Sequence, residues 1–269
     1  MIIDTHTHTN FSFDGDNTPH EMIEKAINLG LYALTFTDHI DVNEYYSSYY
    51  KQSELMPQGA VEIPRVIDEY RGKSKIKIGF GAEIGQFTHN PELAQKLIKD
   101  FNLDYVIGSV HSVRNHEDFY FMDFKKQDAM KFLGLYFNEV FEMTQASDID
   151  VIAHLTYPLR YMGKYNAIVD LSRFDNIIRE IFKAAAQRGI GLEINTGGMR
   201  KLEYGKSDPD LYYVKLFKES GGEIITIGSD AHRVSDLAGF FKNGAEIAQA
   251  AGFTRIAYYE KRKPCFINL

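Results

Sequence analysis

Short apolar runs alternate with longer amphipathic stretches along the chain, and this pattern predicts repeated strand–helix units around a parallel sheet. Seven runs rich in Ile, Val, Phe and Tyr are predicted as strands. Most of them are too apolar to have one face in water, so we expect burial on both faces. They are Met1–Asp4, Tyr32–Thr37, Ile76–Ala82, Tyr105–Val110, Val151–Ala153, Ile190–Ile194 and Glu223–Gly228.

Helices between these strands are predicted from their capping residues. The first begins at Thr18–Pro19 and ends at Gly30, because threonine followed by proline suits a helix start and glycine suits its end. The same signals predict three further helices: Glu92–Lys99 after Asn90–Pro91, Arg173–Arg188 between Ser172 and Gly189, and one from Ser235 or Asp236 to Ala251, before Gly252.

The chain is predicted to be a single domain over residues 1–269, since no Pro/Ser-rich linker, low-complexity segment or longer repeat divides it. The tyrosine-rich segment Asp41–Gly59 has little periodicity, and we expect a loop over one end of a barrel. The expected fold is therefore α/β, a seven-stranded TIM-like barrel.

Polar residues able to bind a metal or substrate stand at the end of every predicted strand. In a parallel β/α barrel these ends converge on one mouth, so residues distant in sequence meet there. Burying six histidines and three carboxylates together is costly unless a cation compensates them. The residues are His6 and His8 on the first strand, Asp38 and His39 on the second, Glu83, His111, His154 and Asn195 on the next four, and Asp230 and His232 on the last.

Two of these pairs share a spacing that favours metal binding. Residues two apart on a strand point to the same side, so His6 and His8 can present two imidazoles to one cation. A single His-x-His is a weak motif, and an isolated histidine is commonly a hydrogen-bonded core residue. Asp230 and His232 repeat the spacing on the last strand, which neighbours the first in a closed barrel.

Charge and composition restrict the kinds of molecule that the protein is expected to bind. Lys and Arg number 30 against 37 Asp and Glu, a net charge of −7, with no basic run that would suit nucleic acid. No basic leader or span-length apolar run is present, so we expect a cytoplasmic protein without a membrane partner. The single cysteine, Cys265, is expected to be a packed apolar residue.

These motifs resemble the polymerase and histidinol phosphatase (PHP) family and, within it, the monofunctional bacterial histidinol-phosphate phosphatases. The matching segments are Asp4–His8, Thr37–His39, Gly108–His111 and Gly228–His232, with Glu83 and His154 at the remaining ligand positions. The resemblance implies a distorted seven-stranded barrel that holds three divalent metal ions and hydrolyses a small phosphomonoester, histidinol phosphate. Nucleotides or oligonucleotides are the alternative substrates.

The resemblance also implies the ligand sets. One cation takes His6, His8, Glu83 and Asp230, a second takes Glu83, His111 and His154, and a third takes His39, His232 and Asp14. Some family members have histidine at the position of Asp14, and in this chain Leu155-Thr156-Tyr157 follows His154 where an acidic residue is usual two positions on. Imidazole and carboxylate donors without thiolate suit zinc, manganese or iron, and the sequence does not decide among them.

Catalysis is expected to use a hydroxide shared between metals, with Asp38, Asp230 and His232 assigned to the catalytic group. Asp38 is expected to orient a ligand or the leaving group. We expect five residues near the ends of the ligand strands to contact the phosphate. Three of them are arginines, whose guanidinium group can form two hydrogen bonds with a phosphate. The assigned contacts are Arg160, Arg200, Asn195, Arg114 and Gln86.

Two other classes of protein remain open. An amidohydrolase-type barrel that cleaves C–N bonds also uses a His-x-His pair, although a neutral amide needs neither a third ion nor arginines. A non-catalytic metal-binding barrel is the other alternative, and loss of ligand residues would mark it. Oligomeric state is left open.

Overall fold

Seven parallel strands form a nearly closed barrel in the computed structural model, which describes residues 1–165, 167 and 169–269. The strands neighbour one another in chain order. β7 meets β1 through a bridge between Thr7 and Ala231 and a 2.8 Å hydrogen bond from the His8 amide to the Ala231 carbonyl. The strands are β1 Ile3–Thr7, β2 Ala33–Asp41, β3 Lys77–Gly85, β4 Tyr105–Ser109, β5 Val151–Ile152, β6 Gly191–Asn195 and β7 Ile225–Gly228. The predicted α/β barrel is confirmed.

Helices cover the outside of the barrel. They are α1 Pro19–Asn28, α2 Gln52–Tyr70, α3 Pro91–Asp100, α4 Ala129–Ala146, α5 Leu159–Met162, α6 Asp175–Arg188, α7 Leu211–Glu219 and α8 Phe241–Ala250. The predicted caps of α1 and α3 are present: Thr18 and Glu21 form a reciprocal capping box, and the Asn90 side chain accepts from the Leu93 amide. Gly189 ends α6 in the left-handed conformation that glycine adopts without strain.

Several predicted boundaries differ from the structure. α8 begins at Phe241 rather than at Ser235 or Asp236, and a 3-10 turn at Leu171–Phe174 precedes α6. The expected loop Asp41–Gly59 is irregular only up to Lys51, because α2 begins at Gln52. Two prolines and a glycine inside α2 hid its helical signal from the sequence. A Cβ at Gly59 would lie 3.0 Å from the Cβ of Phe11, which is a tight contact.

An antiparallel hairpin after α8, which the sequence analysis missed, covers the end of the barrel opposite the strand carboxyl ends. It consists of β8 Arg255–Glu260 and β9 Lys263–Asn268. Its two turn residues, Lys261 and Arg262, have positive φ without being glycine or asparagine, so the usual hairpin signal is absent. The Arg262 guanidinium lies 2.6 Å from the Asp150 carboxylate just before β5. Cys265, in β9, is half-buried against the core.

The barrel core is apolar, and its polar buried residues concentrate at the strand carboxyl ends. Large side chains such as Phe36, Phe137, Phe182 and Phe217 are fully buried between strands and helices. Within the described part of the chain, no helix is both long and apolar enough to cross a membrane. The buried histidines and carboxylates at the strand carboxyl ends therefore mark a candidate site.

Candidate metal and phosphate site

Glu83 lies at the centre of a ring of histidines, at the end of β3. One carboxylate oxygen, Oε2, is 3.1 Å from His6 Nε2 and 3.1 Å from His39 Nδ1. The other, Oε1, is 3.0 Å from His111 Nε2 and 2.8 Å from His154 Nε2. The Glu83 side chain is fully buried. Because each oxygen faces its own pair of imidazoles, this carboxylate is placed to bridge two cations.

His6 and His8 converge beside Glu83 as their spacing predicts. Their Nε2 atoms are 3.0 Å apart, and Asp230 Oδ1 lies 3.6 Å from the first and 3.5 Å from the second. The two imidazole nitrogens face each other, and two carboxylates lie beside them in a buried pocket. A shared cation suits this arrangement, because without one the two nitrogens compete for the same space.

A further group forms at the outer side of the cluster. The ring of His8 stacks against those of both His39 and His232, with centroids 4.2 and 4.1 Å away. Asp14 approaches both outer histidines, at 3.6 Å from His39 Nε2 and 3.2 Å from His232 Nε2. Asp14 thus faces the same space as the two outer imidazoles.

The donor atoms fit divalent metals. Four sets of three donor atoms lie within 4.8 Å of one another, and all consist of imidazole nitrogen and carboxylate oxygen. This combination suits divalent ions of the first transition row. The sets are His6, Glu83 and His154; His39, Glu83 and His111; His6, His8 and Asp230; and His8, His39 and His232.

Burial and neighbouring charges shift the pKa values of His6 and His8 in opposite directions. Burial by itself lowers the pKa of His6, but the carboxylates of Glu193, Glu83 and Asp230 outweigh it and raise this pKa well above its usual range. Burial and then the nearby imidazoles of His232 and His39 lower the pKa of His8 well below its usual range. His8 is therefore a neutral imidazole, the form that ligates metal.

Two further carboxylates hold the imidazoles in place. Glu193 lies 2.8 Å from His6 Nδ1, and Asp41 lies 3.3 Å from His111 Nδ1. Such partners fix the orientation of a histidine whose other nitrogen ligates a metal. Sequence reasoning missed both residues. The sequence offered one signal for Glu193, which is a charged residue inside the apolar run predicted as the sixth strand.

Asp38 does not reach the site, which corrects its assignment to the catalytic group. Its carboxylate is fully buried and accepts from the Thr9 amide at 2.6 Å and from the Ser12 hydroxyl at 2.7 Å. The Ser12 hydroxyl in turn lies 3.1 Å from His8 Nδ1. Asp38 therefore positions His8 through Ser12. This agrees with the expectation that Asp38 orients a ligand.

The turn after β7 is shaped to bring Asp230 and His232 into the cluster. A Cβ on Gly228 would collide with the Glu193 carboxylate and the His6 side chain. Asp230 has a φ of 56°, a left-handed conformation that is costly for a residue with a side chain. Asp4 compensates by accepting hydrogen bonds from the Ser229 amide at 2.9 Å and the Ala238 amide at 2.7 Å.

Arg160 and Arg200 both line the mouth of the site, where their positions in the sequence predicted them. Arg160 is buried, paired with Asp208, and donates to Asp230 at 2.9 Å and to Asn195 at 2.8 Å. Arg200 donates to the carbonyls of Ser229 and Asp230 at 2.7 and 2.9 Å. Lys201 and Arg233, which the sequence analysis did not select, line the same cavity.

The other three expected phosphate contacts lie away from the cavity. Arg114 is half-exposed and binds Glu142 at 2.5 Å, so its guanidinium is directed onto α4. Gln86 is buried and accepts from the His111 amide at 3.3 Å. Asn195 is buried behind the site, and its Oδ1 accepts from Arg160 and from the Gly197 amide, at 2.8 Å in each case. None of the three lines the cavity, and each side chain is held by a partner inside the protein.

The cavity above the cluster has a volume of about 900 Å³. Part of its wall is aromatic, and Tyr49 and Tyr50 from the segment before α2 belong to it, as expected of a loop over the barrel. Such a volume is that of a small-molecule site. The remaining aromatic residues are Phe13, Tyr120, Phe121, Tyr157 and Tyr161.

A parallel β/α barrel with this cluster and adjacent arginines defines a metal-dependent phosphoesterase. The model of the PHP domain family matches residues 4–197. The chain belongs to the PHP domain family.

Similar proteins carry one recurring name. The chain is 28% identical over 265 residues to a probable histidinol-phosphatase of Clostridium acetobutylicum, which covers 97% of this chain and 98% of that protein. It is 28% identical over 269 residues to the histidinol-phosphatase of Lactococcus lactis, covering 97% and 95%. The crystal structure of the histidinol phosphate phosphatase of Lactococcus lactis, complexed with zinc, L-histidinol and phosphate, superposes with a TM-score of 0.83 at 25% identity and covers 98% of each chain.

Proposed function

We propose that the protein hydrolyses L-histidinol phosphate to L-histidinol and inorganic phosphate. The observation that carries this proposal is the Glu83-centred ring of histidines beneath a cavity of about 900 Å³. The relatives named as histidinol-phosphatases, which this chain matches over nearly its full length, supply the substrate. Arg200, Lys201 and Arg233 provide the positive charge that a phosphate dianion requires.

The proposed ligand sets are those that the family resemblance implies, and all their members except Asp14 belong to the observed donor groups. His6, His8, Glu83 and Asp230 would hold one divalent ion, Glu83 with His111 and His154 a second, and Asp14, His39 and His232 a third. Divalent ions held there supply Lewis acidity that activates water and neutralises charge on the phosphate. Glu193, Asp41 and Ser12 keep the imidazoles oriented, so that the ligand nitrogens point inward.

The substrate is tested by phosphate release from L-histidinol phosphate beside nucleotide and sugar monophosphates, on protein of measured metal content. We expect histidinol phosphate to have the highest kcat/KM and chelation to abolish activity. A higher kcat/KM for a nucleotide monophosphate would support phosphoesterase activity but would refute histidinol phosphate as the substrate. Metal-free protein with full activity would refute the proposed chemistry.

Replacing Asp14 by alanine is expected to remove about one of three bound metal ions. Asp14 approaches only the outer histidines, so the ions held around Glu83 keep their ligands. Elemental analysis after gel filtration measures the ratio of metal to protein. Asp16→Ala is the matched control, because Asp16 lies two residues away and pairs with Arg233. Unchanged metal content in the Asp14 variant would contradict the proposed third site.

A further inference from the structure

The ring of Phe13 lies against the outer group of candidate ligands, which consists of Asp14, His39 and His232. Phe13 directly precedes Asp14 on the loop between β1 and α1. Its ring stacks on that of His39, with centroids 5.2 Å apart and an interplanar angle of 23°. An apolar ring therefore rests directly on an imidazole of the outer group.

Solvent reaches the outer group more than the centre of the cluster. The side chains of Glu83 and His6 are fully buried, whereas that of Asp14 is 42% exposed and that of His232 is 27% exposed. The hydrophobic shell around a metal site controls the access of water and of competing ligands. We therefore expect an ion at the outer group to exchange sooner than ions held around Glu83.

The loop that carries Phe13 is held on both sides of this residue. The Ser12 hydroxyl donates to the Asp38 carboxylate at 2.7 Å. On the other side, the Asp16 amide donates to the His232 carbonyl at 3.0 Å. These hydrogen bonds fix the backbone of the loop, so the aromatic contacts of Phe13 determine where its ring lies.

Tyr50 packs against Phe13 from a different part of the chain. The two ring centroids lie 4.6 Å apart at an interplanar angle of 66°, and this edge-to-face arrangement is one that aromatic rings prefer. Tyr50 belongs to the segment between β2 and α2, and both rings line the cavity. The contact therefore joins the tyrosine-rich segment to the loop that carries Asp14.

We propose that Phe13 retains the divalent ion of the outer group and that Tyr50 holds Phe13 in place. This proposal rests on the proposed function, because the outer group is one of the ligand sets given there. The Phe13 ring keeps the His39 imidazole oriented and restricts the approach of water to the ligand atoms. Phe13 is thus a positioning residue, which acts on the ion through His39 and contributes no donor atom.

The test measures how fast zinc-loaded protein releases its metal to 4-(2-pyridylazo)resorcinol, a chelator whose absorbance changes when it binds zinc. We expect one zinc ion to leave in a fast phase and the others to leave more slowly. Asp14→Ala is expected to lack the fast phase, which assigns that phase to the outer group. Phe13→Ala is expected to accelerate the fast phase by about 10- to 100-fold, the range by which residues around the ligands commonly change metal affinity.

Three further variants separate this effect from a general loosening of the protein. Phe13→Tyr keeps an aromatic ring and is expected to release the fast ion at nearly the wild-type rate. Tyr50→Ala is expected to accelerate the fast phase less than Phe13→Ala does. Tyr46→Ala is the matched control, because Tyr46 lies on the same segment as Tyr50 but is 75% exposed and lies outside the cavity. It is expected to leave every phase unchanged.

An unchanged fast phase in Phe13→Ala, or an equal acceleration of every phase, would overturn the role of Phe13. Protein that binds only two ions, or a fast phase that persists in Asp14→Ala, would overturn the outer group and this proposal with it. Metal release uses no substrate, so the proposed function is decided separately. Release that depends on Phe13, in a protein that does not hydrolyse histidinol phosphate, would contradict the proposed function but support the role of Phe13.

Discussion

Glu83→Gln is expected to lower phosphatase turnover by about a thousand-fold and to reduce the bound metal. The carboxylate has four imidazole nitrogens within 3.1 Å, two at each oxygen, so no other residue can replace its bridging position. Glutamine keeps one oxygen but presents an N–H group to the other pair of imidazoles, and an N–H group cannot ligate a cation. Loss of one electrostatic contact at a reacting group commonly costs two to three orders of magnitude, about 10²–10³.

The measurement pairs steady-state phosphate release with elemental analysis of the same preparation. Glu142→Gln is the control, because Glu142 is half-exposed on α4 and binds Arg114 away from the cavity. The control is expected to keep metal content and turnover within about twofold of wild type. Full metal content and turnover in Glu83→Gln would show that this carboxylate does not bridge the cluster.

Arg160→Met is expected to lower the free energy of unfolding by about 3–5 kcal/mol, the usual cost of leaving a buried charge without its partner. Arg160 is buried between Asp208, which is fully buried, and Asp230. Methionine fills similar space without charge. Activity is expected to fall as well, because Asp230 loses the contact that holds it beside His6 and His8.

Chemical denaturation measures the change in stability, with Arg114→Met as the control for loss of a half-exposed arginine. Adding Asp208→Asn to Arg160→Met removes the unpaired carboxylate, so the double variant is expected to regain part of the lost stability. It is not expected to regain activity, since Asp230 remains without its guanidinium. A loss below about 0.5 kcal/mol in Arg160→Met would contradict the role given to this buried network.

The ligand cluster could be predicted from the sequence because the rule that assembles it is simple. Strand carboxyl ends meet at one mouth, and alternate residues on a strand point the same way. His6, His8, Asp230 and His232 obey both rules, and the structure places them together. Asp14 also lies where the resemblance placed it, 3.2 Å from His232.

The carboxylates that hold the imidazoles and Arg160 in place could not be predicted from the sequence. Glu193, Asp41 and Asp208 have no shared spacing, and the sequence does not show which histidine or arginine each one meets. The hairpin of β8 and β9 was missed for a similar reason, because its turn uses lysine and arginine with positive φ. In both cases the decisive contact joins residues far apart in the chain.

The sequence by itself determined the barrel, the helix caps at Thr18 and Asn90, and the gathering of imidazole and carboxylate side chains at the strand ends, because these depend on local periodicity and strand order. Only the tertiary structure decided which polar side chains enter the cavity. Arg114 and Arg200 each follow a ligand strand by a few residues, yet Glu142 draws the first onto α4 while two carbonyls hold the second at the mouth. The direction of a long side chain depends on the partner it meets, and distant parts of the chain supply that partner.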